Sequence, residues 1–375
     1  MSGGGLRVVI APDSFKGSAS AVAVASALAA GWRSVRPADE LVLRPMADGG
    51  EGTLDALATA YPSAERMPVT VLGPADASVA AHWLLVTAPD GTRTGVVELA
   101  ATSGIELLTA LRPLDAHTLG FGQAIAAALD AGVDRLVLAI GGSASTDGGA
   151  GLLTALGARL TDAAGTPVPS GAAGLASLSR AELSGLRPLP PGGAVVLTDV
   201  TSPLLGPAGA VAVFGPQKGL TPSTSPAVEA SLAHLVELVD GGAGLALVPG
   251  AGAAGGAGFG LLAWGAVLEP GAAAVARELG LADALVGADV VVTGEGRFDG
   301  QSEAGKVPTH VRELAAAAGA RPALVAGVID AEPVGFAASA ALVDPQLAGS
   351  AAASLADPLR WLTAAGAHLA RTLAP

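Results

Sequence analysis

Apolar runs of four to six residues, rich in Val, Ile and Leu, recur along the chain. Each is followed by turn residues and then by an Ala/Leu-rich stretch with helical spacing. That alternation is the rhythm of an α/β fold, in which strands buried on both faces read as continuous apolar runs and helices cover them. The pattern predicts strands over residues 6–10, 41–43, 83–87, 95–99, 136–140, 195–198, 245–248, 290–293, 323–328 and 341–343. It predicts helices over residues 18–35, 52–60, 118–130, 150–160, 226–239, 307–318 and 351–373. The runs on either side of Ala88, Pro89, Asp90 and Gly91 read as a hairpin with Asp90-Gly91 as its turn. The hairpin interrupts the strand–helix alternation and predicts a second domain that begins near residue 67. Residues 161–193, rich in Gly, Pro and Ser, read as a surface connection.

One stretch imitates a membrane span. Residues 241–268 carry no charge, but they contain ten glycines and Pro249, and their flanks are Asp240 and Glu269. Each glycine costs a helix about 1 kcal/mol against alanine, and no basic residue stands ready to orient a span. The expectation is a buried strand followed by a glycine-rich loop.

Composition narrows the function. A chain of 375 residues exceeds one ordinary core, so two domains, or one large discontinuous one, are expected. With 51% hydrophobic and 14% charged residues it has apolar surface enough to offset the entropy of ordering. A net charge of -13 argues against a surface that grips nucleic acid or an anionic membrane. Cysteine is absent, which removes disulfides, thiolate metal sites and thiol nucleophiles. Small diffusible ligands are left as partners. The opening residues show no secretory signal, so the expected location is cytoplasmic.

In open α/β sheets ligands bind beyond the carboxyl ends of strands, where helix N-termini also present N–H groups. Six such turns share glycine with acids and hydroxyls: residues 13–18, 47–53, 141–149, 199–203, 250–260 and 294–302. Glycine lets backbone approach a ligand, backbone N–H groups and hydroxyls bind phosphoryl oxygens, and carboxylates suit Mg²⁺ or a substrate hydroxyl. Of 20 basic residues only Lys16, Lys218 and Lys306 are lysines, and each lies beside a glycine. Such positions suit a compact ammonium at an anionic ligand.

Other chemistries fit less well. Residues 300–306 match G-x-x-x-x-G-K, but Val307 stands where a P-loop needs Ser or Thr. Residues 250–255 match G-x-G-x-x-G, yet Gly256, Gly258 and Gly260 interrupt the helix that should follow. The five histidines are scattered, Asn does not occur, and no G-x-S-x-G is present. Phosphoryl transfer remains, a reaction carried by positioning and charge neutralisation.

Residues 9–17, 47–53, 141–149 and 214–219, with Thr293-Gly294-Glu295-Gly296, Asp299-Gly300-Gln301-Ser302 and Gly305-Lys306, resemble the bacterial type I glycerate kinases in order and over nearly the whole chain. The resemblance implies ATP-dependent phosphorylation of D-glycerate, commonly to 2-phosphoglycerate, with Mg²⁺. It also implies two α/β domains with the active site in the cleft between them. One is a Rossmann-like parallel-sheet domain from residues 1–66 plus 285–375, and the other an inserted α/β domain over 67–284. Two positions depart from the family pattern: Thr146 and the pair Thr201-Ser202 stand where the family usually carries Asn. Hydroxyls are shorter than amides and lack their paired donor and acceptor.

On that resemblance Lys16 and Arg297 are expected to hold the substrate carboxylate, with Ser14, Asp48 and Glu51 beside them. Asp13 and Asp199 are candidate bases, because no His lies in any motif. Glu295 and Asp299 are candidate Mg²⁺ ligands. Gly141, Gly142, Ser143, Thr146, Asp147, Gly148 and Gly149, with Gly252, Gly255 and Gly256, would wrap the nucleotide phosphates. Lys218 and Lys306 would neutralise the transferring group. An NAD-dependent hydroxy-acid oxidoreductase and a non-catalytic sugar-acid binding protein stay open as other readings, as does a homodimer.

Overall fold

The computed structural model describes residues 5–300 and 306–374. Its strands in chain order are β1 (Arg7–Ile10), β2 (Glu40–Leu43), β3 (Glu65–Leu72), β4 (Ser78–Thr87), β5 (Arg93–Glu98), β6 (Arg135–Ala139), β7 (Arg159–Thr161), β8 (Arg180–Glu182), β9 (Ala194–Leu197), β10 (Val267–Glu269), β11 (Val290–Phe298), β12 (Arg321–Ile329) and β13 (Ala338–Ala341). The chain divides into two compact units, one of Met1–Asp48, Asp55–Pro62 and Ala272–Pro375, the other of Gly49–Leu54 and Ser63–Gly271.

The first unit is built on a five-stranded sheet of order β13-β12-β11-β1-β2, parallel throughout. The runs Val8-Val9-Ile10 and Val290-Val291-Val292 are fully or nearly fully buried, as parallel strands covered on both faces must be. Helices Ala21–Val35 and Pro358–Thr372 pack on this sheet through Val24, Leu28 and Trp32 on one and Leu362, Ala365 and Leu369 on the other. The two helices meet at glycines. A Cβ on Gly31 would lie 1.9 Å from the Thr363 carbonyl oxygen, and one on Gly366 would lie 2.2 Å from that of Leu28.

The second unit holds a six-stranded sheet of order β10-β9-β6-β5-β4-β3, in which β4 alone runs opposite to the other five. The predicted hairpin is β4–β5, with Leu84 opposite Val96 and Gly91 at φ +89° in the turn. The fold is α/β, as the hydrophobic rhythm implies.

Three expectations are corrected. Residues 245–248 are not a strand: the chain forms a helix at Gly242–Ala246, a second at Ala253–Trp264, and the edge strand β10. An apolar run of Leu, Ala and Val has no period of its own, and the flanking glycines hid the helices. Gly258 fits inside the second helix because a Cβ there would sit 2.3 Å from the Gly250 carbonyl. Residues 161–193 are more than a surface connection. They carry strand β8, which pairs antiparallel with β7, and a 3₁₀ turn at Gly174–Ser177, and they bury Ala172, Leu175 and Leu178 in a core cluster. The last predicted strand sits earlier than residues 341–343, as β13, because the edge position accepts the small residues Ala338 to Ala341 and leaves Leu342 just beyond the pairing. No helix among the described residues is long and apolar enough to cross a membrane.

Candidate active site

In the first unit the sheet pairing continues past the ends of the strands. The Ala11 N–H donates to the Val292 carbonyl at 2.7 Å and the Asp13 N–H to Gly294 at 2.8 Å. On the other side the Met46 N–H donates to Pro12 at 2.8 Å, and the Thr293 hydroxyl ties to the Ala11 carbonyl at 2.9 Å. Three segments therefore run side by side at the carboxyl edge of the sheet, and each delivers a carboxylate: Asp13, Asp48 and Glu295. Gly294 permits the close pairing of β11 with β12, since a Cβ there would lie 2.1 Å from the Val325 carbonyl.

The charges of this edge are coupled. Burial pushes the Asp13 carboxyl up from 3.8 to about 7, and the Asp48 and Glu295 carboxylates push the same way. The Ser14 N–H, donating to Asp13 Oδ1 at 2.6 Å, and the Lys16 ammonium oppose that rise. Lys16 Nζ lies 3.2 Å from Asp48 Oδ2, and Asp48 is the main cause that raises the lysine above its usual range. Glu295 is buried at 7% exposure. A carboxylic acid poised near neutrality beside an ammonium is the constellation a proton acceptor at a sheet edge needs.

The other expected residues of this unit stand further along. Arg297 Nη1 pairs with Asp330 Oδ2 at 2.5 Å on the exposed surface. Asp299 follows the end of β11, and four residues of extended chain separate it from Glu295 by roughly 13 Å. The fold also brings Asp13 and Asp48 toward Glu295. Among the described residues no three His, Asp or Glu side chains gather as a metal cage. Lys306 is half-buried at the N-cap of helix Val307–Ala317. Gln301, Ser302 and Gly305 of the same motif lie outside the described residues.

In the second unit the 141–149 loop follows β6 and leads into helix Ala150–Ala155. The Gly141 N–H donates to Gly49 at 3.1 Å. Asp147, fully buried, turns inward. Its Oδ2 accepts from the Thr118 N–H at 2.9 Å, the Thr118 hydroxyl at 2.8 Å and the Gly151 N–H at 3.1 Å, and its Oδ1 from the Gly149 N–H at 3.2 Å. Asp147 therefore shapes the loop from within. Thr118, which sequence reasoning passed over as the start of a helix, completes the clasp by accepting from the Leu152 N–H at 2.9 Å.

The second glycine segment is docked on the first. The Gly148 N–H donates to the Gly255 carbonyl at 3.0 Å. Ala254, Gly255 and Gly256 are consecutively left-handed, at φ +54°, +70° and +88°. The Gly256 N–H donates back to the Gly252 carbonyl at 3.3 Å, which closes this turn on itself. Gly142, Gly148 and Gly149 are also left-handed. Gly252 donates its N–H to the Ser202 carbonyl at 3.0 Å. Lys218, at 4% exposure, donates from Nζ to Ser143 Oγ at 2.7 Å and to the Ser145 carbonyl at 2.5 Å. Burial pushes this amine down to about 7, against the pull of Asp147. The Thr146 and Ser145 hydroxyls are buried without a hydrogen-bond partner among the described residues. Asp199 is exposed and its Oδ1 accepts from the Gly271 N–H at 2.7 Å. Glu51 is exposed. Glu98, not singled out from the sequence, is buried, and its Oε2 accepts from the Leu54 N–H at 3.1 Å. Its position at the end of β5 was the available signal.

Comparison with known proteins bears on these loops. A family model described as the glycerate kinase family matches residues 8–374. A glycerate 2-kinase of Escherichia coli K12 is 42% identical over 316 residues, covering 83% of this chain and 82% of that protein. A glycerate kinase of Bacillus subtilis 168 is 41% identical over the same length, with the same coverage. A crystal structure from Salmonella typhimurium LT2, of a protein provisionally assigned as glycerate kinase 2, superposes with a TM-score of 0.83 at 37% identity, covering 98% of each chain. With a family match over almost its full length and relatives at this identity, the chain belongs to the glycerate kinase family.

Proposed function

We propose that the protein transfers the γ-phosphoryl group of ATP to D-glycerate and forms 2-phosphoglycerate. The observation that carries this reading is the sheet-edge cluster of the first unit, where Asp13 is held near neutrality beside Lys16, Asp48 and Glu295. Family membership and the named relatives support the choice of acceptor and reaction.

The reaction makes a phosphorus–oxygen bond to a substrate hydroxyl, breaks the bond between the β,γ-bridging oxygen and the γ-phosphorus of ATP, and leaves one proton to be placed. Asp13 in its ionised form takes that proton. Of the two candidate bases it is favoured over Asp199 because its basicity is raised, whereas Asp199 is exposed and engaged with the Gly271 backbone. Lys16 offers an ammonium that is largely exposed, at 78%, and so able to meet a substrate carboxylate. In the second unit the nucleotide phosphates are assigned to the loop 141–149, a glycine-rich turn between the end of a strand and a helix, the place where phosphoryl oxygens commonly bind.

Mg²⁺ enters with ATP as part of the substrate. It takes hard oxygen ligands, commonly one or two carboxylates with phosphate and water, and the buried carboxylate of Glu295 fits that donor chemistry. When bound, the ion neutralises charge on the phosphates. The test is direct: purified protein with ATP, Mg²⁺ and D-glycerate, read by ADP release and by phosphorus NMR. Release of ADP with a 2-phosphoglycerate resonance is expected. A 3-phosphoglycerate resonance would overturn the product assignment, and binding of glycerate with no ADP release would overturn the activity.

A further inference from the structure

Residues 143–146 form the middle of the 141–149 loop, and their own side chains do little to hold them. The Ser145 and Thr146 hydroxyls find no partner among the described residues, and Ser143 Oγ reaches the Ser145 carbonyl only at 3.4 Å. Backbone ties the first half of the loop by a bridge between Ser143 and Gly104, with Ala144 N–H donating to the Ser103 carbonyl at 3.1 Å and Ile105 N–H to Gly142 at 2.8 Å. The second half is tied by the Asp147 clasp. Among the described residues, the side-chain bonds that reach 143–146 from outside the loop come from Lys218. The lysine itself is fixed by its 3₁₀ turn, Pro216–Lys218, which closes at left-handed Gly219 with φ +94°.

We propose that Lys218 is a positioning residue, which acts through Ser143 and the Ser145 carbonyl to set the path of residues 143–147 and does not itself meet the transferring phosphoryl group. The inference rests on the nucleotide reading of this loop. Its geometric ground is burial together with the two short bonds, which direct the amine at the protein. The chemistry agrees. An amine that burial brings down to about 7 is a poor fixed countercharge for a phosphoryl group. A neutral amine still has two N–H donors and an ammonium three, so both acceptors are served in either protonation state.

The test compares Lys218→Met with the wild-type chain by amide hydrogen exchange of the 141–152 segment and by steady-state kinetics. Expected are exchange at least about tenfold faster in that segment, an ATP KM raised about tenfold with kcat within about threefold, and an unchanged glycerate KM. A kcat lowered about a hundredfold, with exchange and ATP KM unchanged, would place the amine on the phosphoryl group and overturn the proposal. Unchanged exchange and kinetics would overturn it as well. Should Lys218→Met not fold, Ser143→Ala keeps the lysine and removes one acceptor. It should move exchange and ATP KM the same way, by about threefold, and no movement in either counts against the proposal. A wild-type chain that fails to phosphorylate glycerate would defeat the proposed function, while the exchange measurement would still decide the role of Lys218.

Discussion

Replacing Asp13 by Asn separates the cost of the proposed base from its use. The folded protein keeps the Asp13 proton up to about pH 7, whereas an unfolded chain releases it near 3.8. The native state therefore binds the extra proton between those values, and wild-type stability falls as pH rises through that window. At about 1.4 kcal/mol per pKa unit the full loss above neutrality is about 4 kcal/mol, and solvent reaching a half-buried side chain lowers it to about 2 kcal/mol. Asn has no proton to lose, and its amide oxygen still accepts from the Ser14 N–H. The Lys16 ammonium stays charged across the whole window and adds no slope of its own.

Asp13→Asn should therefore match the wild type near pH 3 and exceed it near pH 8. At about 2–4 °C per kcal/mol for a unit of this size, the gain in thermal midpoint is about 4–8 °C. In the glycerate kinase assay the same variant should lose at least about a hundredfold in kcat, the usual share of a general base. Thermal unfolding at the two pH values and a coupled ADP assay measure both sides. A midpoint difference that stays constant with pH would refute the raised pKa of Asp13. Turnover above about a tenth of wild type would remove Asp13 as the base.

Further consequences follow from the same geometry. Wild-type kcat/KM should rise through a limb near pH 7 as Asp13 loses its proton, a limb absent from Asp13→Asn in a pH–rate series. Lys16→Ala should move that limb to higher pH, because the ammonium lowers Asp13, and should raise the glycerate KM about tenfold with the ATP KM unchanged. Gly255→Ala should destabilise the second unit by about 3 kcal/mol or more in urea unfolding, since alanine would be left-handed there and its Cβ would fall 2.0 Å from the Ser145 carbonyl oxygen. Asp147→Ala should cost a similar amount, about 3–5 kcal/mol, by leaving the buried donors of Thr118, Gly149 and Gly151 without their acceptor.

What could be read from the sequence was whatever burial writes locally. Val8 to Ile10, Val290 to Val292 and Leu136 to Leu138 announce strands because a parallel strand needs apolar residues on both faces. Asp13, Asp48 and Glu295 could be picked out because each follows such a run or its paired neighbour. The helix Ala253–Trp264 could not, because its opening residues are left-handed and its glycines fit contacts made by distant segments. The clasp of Thr118 on Asp147 joins residues 29 apart, and the bond from Lys218 to Ser143 spans 75, so no local spacing encodes either.

The glycines themselves carry a double meaning that composition cannot separate. A glycine-rich turn after a strand suggests backbone drawn close to a ligand, yet here much of the close approach is backbone against backbone. A Cβ on Gly149 would lie 2.9 Å from the Gly260 Cα, one on Gly256 2.7 Å from the Gly148 Cα, and one on Gly141 2.5 Å from the Gly50 Cα. These contacts press the 141–149 loop, the 254–256 turn and the 49–50 segment into one layer before any ligand is considered. Rigidity of that kind is what an anion-binding loop requires, because N–H groups already held in place lose little entropy when an oxyanion arrives. On the proposed reading the glycines would serve phosphate binding through packing, while the buried polar residues Asp147, Thr118 and Lys218 bond to one another's segments and hold the loop's path.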